Sequence, residues 1–223
     1  MVLAFTAGCG GLQEYAAPPE SDAGVAADRE MAAEHSATVG DLPAGWTLIQ
    51  DEPVTGEGLR PPATCVPSKP GGRRSAGWER GFSYQLSSDG QEAGHLTVTI
   101  LVQATKEDAA ATLALVQDPG YTQCQATRGI AHLSRTTHSS ARLEGSSALA
   151  LPAGLVGRAT RGKIAYAYRG EPLVSVQDNY DVIVGRALVR LKFEKCCTGF
   201  TEAEEANVVT RTTARFAASP LGA

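Results

Sequence analysis

The sequence predicts an α+β fold, in which helices pack on one antiparallel β-sheet and disulfide bonds staple the domain. Three observations predict it. Segments in which apolar and polar residues alternate follow one another in runs, which is typical of an antiparallel sheet. A small number of segments carry helix-capping signals. Beyond Cys9, the cysteines are even in number, at positions 65, 124, 196 and 197.

The first 38 residues predict an anchor and a tether ahead of the folded domain. Residues 1–9 read MVLAFTAGC, an apolar run that ends in small residues and a cysteine. Residues 10–38 are rich in Ala, Glu, Asp, Ser and Pro and poor in large apolar side chains. Such a segment buries too little surface to offset the entropy of ordering it. We therefore expect a disordered acidic tether over 10–38 and a single domain over 39–223. Residues 26–35 (AADREMAAEH) could form a marginal helix, but a helix this short is weak alone.

The domain is expected to open at DLPAGW (41–46), with Trp46 as a core anchor. Residues 53–77 are dense in Gly and Pro and predict a long irregular loop that contains Cys65. Apolar residues then alternate with polar ones in 82–86 and again in 96–102, with an SSDGQE turn between the two segments. This pattern predicts a β-hairpin with one buried face.

Two helices are predicted from their caps. Thr105 is followed three residues later by Asp108, a variant of the capping box, and Asp118-Pro119-Gly120 ends the helix. Thr201 and Glu204 form a second capping box at the start of a C-terminal helix.

The segment between the two helices predicts mainly strands. Its first part, 125–141, is polar and ambiguous. The rest shows alternating patterns that predict strands over 142–149, 155–160, 163–169, 172–184 and 187–195. Gly185-Arg186 is expected to be a two-residue hairpin turn, and Asp178-Asn179 to break the preceding strand.

The four cysteines beyond Cys9 allow three pairings. Cys65 joined to Cys124 leaves a Cys196–Cys197 bond between neighbours, whereas the other two pairings tie both Cys65 and Cys124 to the adjacent pair. We favour Cys65–Cys124, and all three pairings stay open. A redox role for Cys196–Cys197 is the alternative, although no CxxC motif is present.

The segment TAGC (6–9) resembles the lipobox of bacterial lipoprotein signals. In that family the cysteine is acylated and becomes the first residue of the mature protein. The resemblance implies that Cys9 carries lipid such as palmitate, that 1–9 is a signal remnant, and that the chain is anchored on the outer face of the cytoplasmic membrane. Disulfides persist in that compartment.

Taken with TAGC, the acidic tether, DLPAGW and the spaced cysteines resemble actinobacterial cell-envelope lipoproteins. They are also similar to the extracellular sensor domains of mycobacterial serine/threonine kinases. That resemblance covers about 39–218 and implies a disulfide-stapled α+β domain with a ligand groove.

Composition and motifs argue against several other classes. The formal charge of −4 includes no basic excess, which argues against nucleic-acid binding. Neither GxSxG nor HExxH occurs, and His132 and His138 lack ligands at metal-site spacing. We therefore expect no catalytic, metal or cofactor site. A basic run with Arg158, Arg161, Lys163 and Arg169 is expected to be outward strand charges, with an anion-binding patch as the alternative.

The functional expectation is a non-catalytic, lipid-anchored module that binds an unknown envelope ligand or protein. The first alternative is an envelope enzyme of hydrolase type. A cleft that gathers carboxylates with altered pKa values would favour it, and the candidates are Glu144, Glu171, Asp178 and Asp181. An apolar groove without titratable groups would favour the binding module. A purely structural envelope lipoprotein would have neither feature.

Overall fold

The computed structural model describes residues 22–55, 65, 74–85, 92–136, 140–168, 171–195 and 200–222. The described helices are α1 Asp22–His35, α2 Lys106–Val116, α3 Pro119–Thr136 and α4 Glu202–Ala217, with a short 3₁₀ turn at Val39–Asp41. The strands are β1 Trp46–Pro53, β2 Arg74–Gln85, β3 Glu92–Gln103, β4 Arg142–Ala148, β5 Val156–Tyr168, β6 Glu171–Val184 and β7 Ala187–Lys195. In this part of the chain, no helix has the length and apolar character needed to span a membrane.

The strands form one seven-stranded sheet in the order β1-β2-β3-β7-β6-β5-β4, and every neighbouring pair is antiparallel. Helices α1 and α4 cover one face, with α1 on β2 and β3 and α4 on β6 and β7. Helices α2 and α3 pack on the other face around a second cluster that includes Leu101, Tyr121 and Leu188. The predicted α+β architecture is therefore confirmed.

One row of residues runs straight across the sheet beneath α1 and α4. Phe82 on β2 is opposite Leu96 on β3, and Leu96 is opposite Phe193 on β7. The row continues from Phe193 to Asp178 on β6 and Arg161 on β5. Residues opposite one another share a face of a sheet. The apolar core therefore changes into a charged region along this row.

Several predicted elements are confirmed. The first hairpin is β2–β3, with Trp46 in the core at 6% exposure. The Thr105 side chain caps α2 by accepting a hydrogen bond from the Asp108 N–H at 3.1 Å. The capping box of Thr201 and Glu204 starts α4. The turn between β6 and β7 is at Gly185-Arg186, where Gly185 has φ of +56°, a conformation that favours glycine.

The prediction of a disordered tether is wrong for residues 22–38. Most of this range is α1, which packs on the sheet through fully buried Ala32, with Ala37 buried just beyond the helix. Asp28, also buried, pairs with Arg186 on the β6–β7 turn. Small side chains let the helix approach the sheet closely, so few large apolar residues are needed. Residues 1–21, including Cys9, lie outside the described part of the chain.

Three further differences concern the middle of the chain. The ambiguous segment 125–141 is largely α3, which begins at Pro119, within the predicted helix stop. Strand β5 is continuous where two strands are predicted, because Gly162 pairs with both Ser146 and Gln177. Strand β6 also runs through Asp178-Asn179, because β5 and β7 hold it on both sides. Pairing on both edges overrides local signals.

Candidate functional site

A cluster of charged residues lies between the first turns of α4 and the sheet. Asp178 and Tyr180 are two apart on β6, so both side chains point to the α4 face. Register places Arg161 of β5 beside Asp178, and Lys195 ends β7 next to them. Glu205 reaches down from α4. We call Arg161, Asp178, Tyr180, Lys195 and Glu205 the ionic cluster.

Asp178 is the best-supported anion of the ionic cluster. Arg161 donates to it twice, from Nε to Oδ1 at 2.8 Å and from Nη2 to Oδ2 at 2.7 Å. Lys195 Nζ donates to the same Oδ2 at 3.2 Å. Burial raises the pKa of Asp178, but the hydrogen bonds from Arg161 and Lys195 outweigh it, so the pKa lies below its ordinary value of 3.8. Asp178 is therefore a buried carboxylate that stays ionised.

Glu205 has a different environment. Its side chain is fully buried and forms an ion pair with Lys195, while the Tyr180 hydroxyl donates to its Oε2 at 3.0 Å. Burial raises the pKa of Glu205 to about 7, and the nearby Asp178 charge adds to the rise. Burial and the Glu205 charge also raise the pKa of the Tyr180 hydroxyl, so Tyr180 stays a neutral donor.

The ionic cluster is closed to solvent at its carboxylates. Both Asp178 and Glu205 have 0% side-chain exposure. The Arg161 guanidinium extends outward and also contacts exposed Glu202 at 2.9 Å. A group that transfers a proton to a substrate has to come within hydrogen-bond distance of it. In this conformation the cluster can fix α4 to the sheet, and it presents neither carboxylate to a ligand.

An apolar groove lies along the other half of α4. It encloses about 340 Å³ between the C-terminal half of α4, the end of β6 and the start of β5. Its described lining residues are Gly154, Leu155, Val156, Ile183, Val184, Gly185, Thr210, Thr213, Ala214 and Ala217. None of these ten is titratable. Val156 stands at the groove with 55% exposure. We call this feature the α4 groove.

The structure separates the four carboxylates that the sequence proposes for a cleft. Asp178 belongs to the ionic cluster. Asp181 pairs with Arg190 on the opposite face of the sheet. Glu144 pairs with Arg142 at the exposed strand β4, and Glu171 is exposed at the start of β6. A cleft that gathers these carboxylates, the feature that would favour an enzyme, is therefore absent among the described residues.

The cysteine and basic residues are also placed. Cys65 and Cys124 form a disulfide with Sγ–Sγ of 1.98 Å and Cα–Cα of 5.6 Å, the pairing that the sequence favours. Cys196 and Cys197 lie outside the described residues.

Arg158 donates to the carbonyl of Val116 on the α2 side, whereas Arg161 points to α4. Arg158 and Arg161 therefore do not form one patch, and Arg169 lies outside the described residues. The described residues include no cluster of His, Cys, Asp or Glu suited to a metal ion.

Sequence reasoning missed four members of the ionic cluster. Glu205 reads as a first-turn acidic residue that suits the helix dipole, and Arg161 reads as an outward strand charge. Lys195 reads only as a charge beside the adjacent cysteines. A signal is nevertheless present in β6: Asp178 occupies a position that should be apolar, in phase with Tyr180 and Val182. A charge on the buried face of a strand predicts a buried partner.

The chain has little detectable similarity to known proteins. No protein-family model and no curated protein matches the chain. Among solved structures the chain is similar to LpqN, described as involved in cell envelope biogenesis of Mycobacterium tuberculosis. The match has 14% identity, covers 76% of this chain and 74% of that chain, and has a TM-score of 0.34. At that score the likeness carries no functional inference. The resemblance to kinase sensor domains stays a prediction.

Proposed function

We propose that this chain is an exported, lipid-anchored, non-catalytic domain that binds an apolar ligand or an apolar part of a partner in the α4 groove. The observation that carries the proposal is the separation of two features along one helix. The groove is lined without titratable groups, whereas Asp178 and Glu205, two carboxylates with altered pKa values, are closed beneath α4. The envelope ligand itself is unidentified.

Export is supported by the Cys65–Cys124 disulfide. It ties α3 to residue 65 across 59 positions of sequence. Disulfides of this kind persist in oxidising compartments and are rare in reducing ones. The TAGC segment supports lipid attachment at Cys9. A lipid on that residue would place the folded domain close to the outer face of the cytoplasmic membrane.

Binding is supported by the size and chemistry of the groove. Its volume lies at the lower end of the roughly 300–1,000 Å³ that is typical of small-molecule sites. Its wall is aliphatic apart from two threonines, so shape and apolar contact would dominate recognition. Ala214 and Ala217 are exposed on α4, and these small residues leave the groove open on the helix side.

The test uses 1-anilinonaphthalene-8-sulfonate as an apolar probe and Ala214→Trp to fill the groove. Ala203→Trp is the matched control, because it makes the same change at an exposed position of α4 roughly 16 Å along the axis. We expect Ala214→Trp to weaken probe binding roughly tenfold or more, which is about 1.4 kcal/mol, and Ala203→Trp to leave it unchanged. Equal binding by all three proteins would contradict the groove as the site.

A second candidate function is the envelope enzyme, and the raised pKa of Glu205 favours it. It requires α4 to open so that Glu205 reaches a substrate. The discriminating experiment compares Glu205→Gln with Ala214→Trp on a panel of p-nitrophenyl esters and glycosides. Turnover by the wild type that is lost in Glu205→Gln alone would favour the enzyme. Absence of turnover together with groove-dependent probe binding would favour the binding domain. A structural lipoprotein would show neither.

A further inference from the structure

The two buried carboxylates of the ionic cluster share one lysine. Lys195 Nζ contacts Oδ2 of Asp178 and Oε1 of Glu205. An ionised carboxylate has about four acceptor sites. Asp178 receives two hydrogen bonds from Arg161 in addition to Lys195, whereas the described partners of Glu205 are Lys195 and the Tyr180 hydroxyl. Glu205 therefore has fewer donors to stabilise its ionised form than Asp178 has.

The charges around Glu205 are also out of balance. Lys195 faces it from β7, and Asp178 and Tyr180 face it from β6. Arg161 approaches from β5 and links Asp178 to Glu202 on α4. Glu204, in the same turn of α4, also acts on Lys195. With Glu204 included, four carboxylates stand against two cations when all are ionised, and addition of one proton to Glu205 reduces this excess of negative charge.

We propose that Glu205 is a proton-responsive attachment point for α4, which takes up a proton in mildly acidic surroundings and holds the first half of α4 more firmly in that state. This attachment role requires neither catalysis nor the α4 groove, so the inference goes beyond the proposed function and does not depend on it. It gives the domain a means to respond to the pH of its surroundings.

The direction of the effect follows from proton linkage. Burial raises the pKa of Glu205 from 4.5 to about 7 in the folded chain. A raised carboxyl pKa means that the folded state binds more protons than the unfolded state across this window. Folding is therefore most favoured at the acidic end, and the advantage is lost as pH rises towards 7. Between pH 5 and 8 the folding equilibrium constant should fall roughly tenfold to a hundredfold from this group.

The direct experiment follows the Glu205 side-chain carboxyl carbon by NMR in ¹³C-labelled protein, with Glu205→Gln used to assign the signal. We expect a titration midpoint well above the ordinary 4.5 and near 7. Lys195→Met should move the midpoint higher, because it removes the cation that favours the ionised form. A Glu205 midpoint near 4.5 would overturn the proposal.

The second experiment measures urea unfolding from pH 5 to 8 for the wild type, Glu205→Gln and Glu202→Gln. Each variant shares every other ionisable group with the wild type, so the difference between curves isolates each glutamate. We expect the wild-type and Glu202→Gln midpoints to fall together as pH rises, and the Glu205→Gln curve to be flatter. Parallel curves for all three proteins would show that Glu205 does not couple protons to folding.

Discussion

Asp28 and Arg186 form an ion pair across 158 positions of sequence, with Asp28 Oδ1 and Arg186 Nη2 2.7 Å apart. Arg186 Nη1 lies 3.2 Å from the other carboxylate oxygen and donates to the Gln103 carbonyl at 2.8 Å. The Ser75 hydroxyl donates to Asp28 at 2.7 Å. The pair therefore fastens α1 to the start of β2, the end of β3 and the β6–β7 turn.

Arg186→Met should destabilise the domain because it leaves Asp28 largely buried without its cation. Removal of one partner from a buried pair costs about 3–5 kcal/mol, and partial exposure of Arg186 reduces this to about 2 kcal/mol. Urea unfolding followed by tryptophan fluorescence measures the change. Arg142→Met is the matched control, since Arg142 pairs with Glu144 at the surface, and it should cost less than about 0.5 kcal/mol. Equal losses in the two variants would contradict a fastening role.

Removal of the Cys65–Cys124 bond should also lower the free energy of unfolding. The bond closes a loop of 59 residues, for which the chain-entropy model gives about 4 kcal/mol. The double variant Cys65→Ala, Cys124→Ala should show a loss of that order in urea unfolding. Addition of reductant to the wild type should reproduce it, and reductant should have little further effect on the variant. If neither the double substitution nor the reductant changed the free energy of unfolding, the bond would not stabilise the domain.

Asp178 should control the acid limit of stability. Its pKa is lowered in the folded chain, so the unfolded chain takes up a proton first as pH falls below about 3.8. The stabilisation from Asp178 is present above that pH and is lost as pH falls through the folded pKa. Asp178→Asn should cost about 3 kcal/mol at neutral pH because two cations lose their shared anion. The same substitution should also make the loss of stability below pH 4 less steep.

The measurement is the urea midpoint between pH 2.5 and 6, with Asp181→Asn as the control. Asp181 has a single described cation partner, Arg190, on the other face of the sheet. If the urea midpoint of the Asp178→Asn variant fell as steeply below pH 4 as that of the wild type, the acid limit of stability would arise from other groups in the chain.

Local sequence signals predicted a large part of the fold. The β2–β3 hairpin and β7 follow from alternation of apolar and polar residues, and α2 and α4 follow from their capping residues. These signals lie within a few positions of each other, so a sequence displays them directly. Helix α1 shows only a marginal helical signal, over 26–35. The ion pair between Asp28 and Arg186 and the close packing of alanine on the sheet hold it in place.

The candidate site was less predictable for the same reason. Glu205, Tyr180, Lys195 and Arg161 lie on one helix and three strands, and their proximity depends on the register of β5, β6 and β7. The sequence identified Asp178 as a candidate carboxylate, but with the wrong companions. Asp181, three residues further along the same strand, points to the opposite face and pairs with Arg190.

The most direct test of an exported, lipid-anchored domain is the intact mass of the protein purified from the membranes of an actinobacterial host, with and without reductant. We predict an acylated mature chain that begins at Cys9 and gains the two hydrogens of the Cys65–Cys124 bond on reduction. A mass that corresponds to an unmodified N-terminus, with Cys65 and Cys124 as free thiols, would contradict both the anchor and the compartment.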